Sequence, residues 1–409
     1  MLTTMSKKIF ITLILIALIS LVFGVWFLMM DKNPNDTLSQ TDGENLFPFG
    51  QGGGTTPTNP GTTNQTTTTT PDFDSDYIPR LRKISETPVA GGVVFTNKLG
   101  TIIRYVERAT GHIFETYTDS LEIKRISNTT IPKIEEALWS NQGNQVLFRY
   151  LRDDNQTIRT FYARISTTTV PDQAIEGIFL PDNIAKINVF GDRIFYTAKT
   201  ETGSTGIIAN IDGTKKTALI NSSFNTWSHT WSQPGSVLLF PSPSSLATGF
   251  IYTLNTASGE YIKVSPGAPG LSGLSNKDGS LILMSGKKGF GVGTAVLNTK
   301  TGETTNLSLQ TMTDKCVWSV LDVTVLYCAI SQALPQNNYP DAWYQGKVTT
   351  NDSVWKINTE TGDTEEILSP QIEALEEFDI TNLSLDAQEN VLLFTNKKDL
   401  TLWAYSLRF

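Results

Sequence analysis

Histidine and cysteine are almost missing from these 409 residues, with two of each. His112 and His229 stand far apart in sequence and neither lies near Cys316 or Cys328, so no zinc-binding spacing can be written. Charge is sparse as well: 18% of residues are Asp, Glu, Lys or Arg, the net charge is −8 and the pI is near 5.0. An acidic chain without a basic stripe argues against nucleic acid as a partner. A nucleophile elbow and a phosphate loop are also lacking, since Gly270-Leu271-Ser272-Gly273 misses the Gly-x-Ser-x-Gly spacing. These absences leave no catalytic residue, metal ligand or cofactor to assign.

Long apolar runs are lacking too, apart from one. Lys7 and Lys8 precede an uninterrupted stretch from Ile9 to Met30 that Asp31 and Lys32 close. As a helix it reaches about 33 Å, enough to cross a hydrocarbon core. It is long for a signal peptide, and its end, Gly24 to Met30, lacks an Ala-x-Ala-like cleavage site. The expectation is therefore an uncleaved single-pass anchor over residues 9–30. Residues 1–8 would be cytoplasmic and the remainder extracytoplasmic at the cell membrane, following the lysines. Residues 31–76 are Thr, Gly, Pro and Asn with few apolar side chains, including Gly52-Gly53-Gly54 and Thr66 to Thr70, and read as a disordered linker. Asp72-x-Asp74-x-Asp76 imitates a calcium loop but lacks its glycine and closing glutamate.

From residue 77 to 409 one pattern returns. Ala137 to Phe148 reads as strand, polar turn, apolar strand, and the wording recurs at Trp231 to Phe240, Leu274 to Leu283, Trp318 to Tyr327 and Leu383 to Phe394. A second hairpin follows each first one, turning at Ala257-Ser258-Gly259-Glu260, Lys300-Thr301-Gly302-Glu303 and Glu360-Thr361-Gly362-Asp363, with others at Asp119-Ser120, near Thr168 and at Asp212-Gly213. Four strands repeating at about 45 residues are the mark of a propeller blade, which cannot bury its faces alone. The expected fold is all-β, a seven-bladed β-propeller, with six or eight blades as the error range. The seventh blade, from about Phe378, stops after a third strand at Leu402 to Leu407. Its missing outer strand is found at Leu81-Arg82-Lys83-Ile84-Ser85, so an N-terminal strand is expected to close the ring.

The aromatic-Ser-x-x-Gly wording of these hairpins resembles TolB-type and WD-repeat-like β-propellers, although the Trp-Asp dipeptide of true WD repeats is absent. The resemblance implies binding or scaffolding on the ring's faces and carries over no catalytic residue.

Three groups of residues invite a chemical reading. Cys316 and Cys328 share one expected hairpin; if Ser319 faces Val325 across the turn, the two cysteines are opposite each other and a disulfide is expected in an exported domain. In the same blade, Ile330 to Asp352 replaces a short turn between the second and third strands. Loops of that length without structure of their own are usually functional or disordered. Its Tyr339, Asp341, Trp343 and Tyr344 form the candidate binding loop, offering flat surfaces to a sugar or peptide; the alternative is that Trp343 and Tyr344 fold back over the blade edge. Trp227, His229 and Trp231 alternate onto one side of a strand, which points to core packing.

The functional expectation is a membrane-tethered, extracytoplasmic scaffold binding an envelope protein or glycan. The alternative is an envelope glycan- or peptide-processing enzyme with its site at the channel. The blade-to-blade connections Asn128 to Pro132 and Pro266 to Gly270 hold little to titrate; the acidic run Glu373 to Glu377 is the exception.

Overall fold

A computed structural model describes residues 77–165 and 175–408. The expected membrane span, the linker and the turn near Thr168 lie outside the described residues. Among those described, no helix is long and apolar enough to cross a membrane.

Seven four-stranded antiparallel sheets follow one another along the chain, at residues 89–125, 134–179, 184–222, 227–263, 272–306, 316–368 and 380–406. These are blades 1 to 7 of a β-propeller. The last has three strands from its own span, and its fourth is Leu81–Lys83, which pairs antiparallel with Thr401–Ser406 so that Leu81 stands opposite Tyr405. Beyond the ladder, Ile84 N donates to Leu402 O at 2.7 Å and Leu402 N to Ser85 Oγ at 2.9 Å. Arg82 reaches across to the Tyr117 carbonyl of blade 1 at 3.1 Å.

The first strands of adjacent blades approach one another around the axis, while several fourth strands, such as Ile123–Arg125 and Tyr261–Lys263, are exposed along their length. Gly91 on the first strand of blade 1 is required by this crowding: a Cβ there would sit 2.2 Å from the Ala137 carbonyl oxygen of blade 2. The core is not one mass but seven seams, each between two neighbouring blades. Phe195, Ile208 and Ile220 of blade 3 meet Trp227, Trp231 and Leu239 of blade 4 in one of them. The other six repeat the arrangement. At about 1.5–3 kcal/mol for each fully buried large apolar side chain, no blade holds its faces dry without its neighbours.

A short device recurs where the third strand turns into the fourth. Asn255, Asn298 and Asn358 each accept two backbone N–H bonds from the residues two and three ahead, as at Asn298 with Lys300 N (3.0 Å) and Thr301 N (3.2 Å). Glycine then takes the left-handed conformation that ends the turn, at φ 76° for Gly302 and 80° for Gly362. The threonine after each asparagine ties this turn to the first hairpin of its own blade, as Thr359 Oγ1 does to Thr324 O at 2.8 Å. Both kinds of turn therefore share one face of the ring, called lower here. The connections between second and third strands and between blades lie on the opposite, upper face. One of these upper connections, in blade 4, adds a small ribbon in which Thr248–Gly249 pairs with Ala268–Pro269.

Candidate functional site

The long upper connection of blade 6 is an ordered structure with a core of its own. Its flanking strands run Val325–Ser331 and Asp352–Asn358, so the insert proper is residues 332–351, shorter than the expected Ile330 to Asp352. Ile330, Ser331 and Asp352 pair in the ladder instead. A one-turn helix, Asp341–Tyr344, forms behind Pro340. Tyr339, Ala342, Trp343 and Val348 pack with Val292 and Met312 from the blade 5 side. Asp341 Oδ2 accepts the Ser245 N–H of blade 4 at 2.5 Å, so the insert reaches past blade 5 to blade 4. Burial works to raise the Asp341 carboxyl, but the bonds from Ser245 and Ser244 outweigh it and hold the group below its ordinary value.

The four residues of the candidate binding loop therefore part company. Tyr339 (0% exposed) and Trp343 (4%) are core, so for Trp343 the structure takes the second of the two readings, the ring folded back, and removes it from the candidate binding surface. A large indole beside uncovered apolar surface gains more from burial than from solvent. Asp341 is a structural acceptor. Tyr344, at 43% exposed, reaches solvent. Its hydroxyl donates to Asp314 Oδ2 at 2.8 Å, and its ring leans on Trp343 with centroids 5.5 Å apart.

Beneath the insert lies a group that the sequence does not announce. Lys315 is 2% exposed, and its Nζ donates to Asp352 Oδ2 (2.5 Å), Asp379 Oδ1 (2.6 Å) and Thr350 Oγ1 (2.8 Å). Trp343 Nε1 donates to both Asp379 oxygens at 3.0 and 3.1 Å, which fastens the insert to blade 7. Lys397 Nζ covers the indole 3.8 Å from its centroid and donates to the Trp343 carbonyl at 2.5 Å. Burial raises the Asp352 carboxyl despite Lys315; one of its oxygens has no partner. Burial also works to raise Asp379, but Lys315, Trp343 and Thr350 together outweigh it and hold that carboxyl below the usual range. Two carboxylates and one ammonium at this depth need every bond they make. Lysine is usually read as exposed, and its acid partners lie 37 and 64 residues away, so sequence spacing gave no cue.

The cysteines stand as expected. Cys316 is directly opposite Cys328 in the ladder and the two are joined by a disulfide, beside the buried lysine. Trp227, His229 and Trp231 are buried on one side of their strand, and the His229 ring packs edge-on against Phe195. His229 Nδ1 is bonded to Asn188 Oδ1. Burial, and then the nearby Lys186 charge, push its pKa down to about 3, so the ring is neutral. The acidic run around Glu373 is absent from the linings of both axial cavities described below; Lys398 pairs with Glu377 at 2.9 Å.

Tyr344 and Asp314 stand at the rim of a chamber of about 560 Å³ on the axis. The first strands of blades 3 to 7 line it, with Lys186, Asn188, Ser228, Thr230, Cys316 and Asn382 among others. Asn382 sits at a bulge with φ 54°, a conformation asparagine tolerates better than most residues. Lower in the channel a second cavity of about 670 Å³ is more apolar, with Leu138, Val317 and Leu385 in its wall. Such volumes suit a small ligand or the tip of a larger one. Among the described residues no group of three or more His, Cys, Asp or Glu side chains is placed to hold a metal ion.

No family model matches this chain, and no curated protein does. Solved structures similar to it include TolB from Acinetobacter baumannii, at 12% identity and a TM-score of 0.43 over 67% of this chain. That match spans 62% of the TolB chain, less than two thirds of its length. The β-propeller domain of the Trilobed protease from Pyrococcus furiosus matches at 10% identity and a TM-score of 0.49, over 78% of this chain and 93% of that domain. An oligogalacturonate lyase in complex with manganese matches at 10% identity and a TM-score of 0.50, over 81% of this chain and 99% of its own. What these proteins share with the chain is the propeller fold.

Proposed function

We propose that the protein is a membrane-tethered, extracytoplasmic binding module that docks an envelope protein or glycan on the upper face of its propeller. The observation that supports this most is the fastening of the insert. Trp343 is tied to Asp379, Asp341 to Ser245, and together they hold Tyr344 exposed at the rim of the axial chamber. A rigid aromatic at the edge of a polar cavity loses little freedom on binding. The tether is the run from Ile9 to Met30, with the N-terminus cytoplasmic. Within the propeller the first described residues, Tyr77 to Arg80, lie beside Thr101, Thr118 and Asn390, which are lower-face positions. Protease added to intact cells should release a fragment beginning in residues 31–76; a fully protected propeller contradicts the topology. Capture from envelope extract, followed by mass spectrometry, should yield a partner that Tyr344→Ala loses and a lower-face change such as Leu99→Ser keeps.

The second reading, a glycan- or peptide-processing enzyme, draws on the axial position of the chamber and on the lyase among propellers of similar fold. Against it, the lining offers a single carboxylate, Asp314, where general acid–base hydrolysis of a glycan uses a pair. Product formation from envelope polysaccharide, abolished by Asp314→Asn, would favour the enzyme.

A further inference from the structure

We propose that the upper chamber binds a carboxylated saccharide, with one sugar face stacked on Tyr344 and the carboxylate at Lys186. This rests on the upper face being the binding face, and it names the class of ligand.

A sugar ring is flat and apolar on one face and ringed by hydroxyls at its edge. It is therefore recognised by a fixed aromatic surface with donors and acceptors around it. Tyr344 meets the first need. Its hydroxyl is held by Asp314 and its ring leans on Trp343, so the part of the ring left exposed is set before any ligand arrives. The lining meets the second. Asn188 uses its carbonyl oxygen on His229, which leaves the amide N–H groups to face a ligand. Thr230 donates to the Gly273 carbonyl at 3.0 Å and keeps its lone pairs. Ser228 and the exposed Asn382 add a hydroxyl and an amide, and amides and hydroxyls outnumber charges around the wall.

The remaining charge points to a carboxylate. Asp314 keeps its negative charge while it accepts the Tyr344 hydroxyl, so the lining carries one charge of each sign. Lys186 lies exposed in the lining and forms no ion pair among the described residues. His229 beside it is neutral and supplies no competing cation. Lys186 is the single cation in the lining, so an anionic group on a ligand has one partner there. A volume of about 560 Å³ admits a disaccharide.

The test is calorimetric titration of the full-length chain with three probes: the disaccharide of N-acetylglucosamine and N-acetylmuramic acid, chitobiose, and trialanine. The first two share a sugar scaffold and differ chiefly in the carboxylate. The acidic disaccharide should bind about fivefold tighter than chitobiose, the scale of one partly exposed charge pair. Tyr344→Ala should weaken both sugars more than about tenfold, while Tyr344→Phe, which keeps the face, should change them less than about threefold. Lys186→Met should bring the two sugars to the same Kd. The proposal is overturned if neither sugar binds at about 10 mM, if trialanine binds and the sugars do not, or if Tyr344→Ala leaves sugar binding intact. Equal affinity for both sugars in the parent chain removes the carboxylate from it. If the sugars fail while envelope capture still depends on Tyr344, the saccharide falls and the binding face stands; if capture ignores Tyr344 as well, both fall.

Discussion

Replacing Trp343 by Ala separates a structural indole from a binding one. The side chain is 4% exposed, packs with Tyr339 and Val348, and gives its N–H to Asp379. Truncating a buried tryptophan typically costs about 3–5 kcal/mol. The lost charge-assisted bond belongs to the same event and pushes the value toward the upper end, near 5 kcal/mol. For a domain of this size, roughly 2 °C of melting temperature accompanies each kcal/mol, so Trp343→Ala should lower Tm by about 6–10 °C. Trp343→Phe keeps most of the packing and loses the N–H, and should fall between the two. Tyr344→Ala, half-exposed and outside that cluster, should cost about 1 kcal/mol or less. Differential scanning calorimetry of the three variants reads this order directly. A Trp343→Ala protein melting within about 2 °C of the parent would refute the claim that this residue fastens the insert.

Other outcomes follow from the same contacts. Lys315→Met leaves Asp352 and Asp379 buried without their cation and should cost about 3–5 kcal/mol, partly recovered when both acids become Asn; chemical denaturation measures both. His229, with its pKa depressed to about 3, stays neutral in the fold while the unfolded chain protonates near 6.5, so its contribution is complete above that pH and lost as pH falls below it. At pH 5 the loss is about 2 kcal/mol, from 1.5 pH units at 1.36 kcal/mol each. Asp352, whose carboxyl is raised, works in the opposite sense in both proteins, so the readout is the shallower acid slope of His229→Gln relative to the parent. Removal of residues 1–76 should leave a folded monomer, whereas removal of 1–86 deletes the strand Leu81–Lys83, opens the edge of blade 7 and should cause aggregation by light scattering; equal behaviour would show that this strand does not close the ring.

The blades were legible because their signals are local. Asn358, Thr359 and Gly362 lie within five residues and specify a turn by themselves, and Cys316 and Cys328 fall in one hairpin whose register follows from its turn. The site was not, because its contacts are long-range. Trp343 in a long loop reads equally well as a displayed or a buried aromatic; what decides is Asp379, 36 residues further on and in another blade. Lys315 carries no mark of burial in its neighbours, and Lys186 and Asn382 reach the same chamber from first strands nearly 200 residues apart. The ribbon of Thr248–Gly249 with Ala268–Pro269 escaped for the opposite reason, being too short to show any period.

Binding on the upper face requires that a partner meet the ring there and not on the lower turns. A photo-crosslinking benzoylphenylalanine can be placed in living cells at position 344, on the upper rim, or at position 99, where Leu99 is 76% exposed on a lower-face turn. Irradiation should yield an envelope adduct from position 344 and none from position 99. An adduct from position 99 alone, or from neither position in cells where capture succeeds, would contradict an upper binding face.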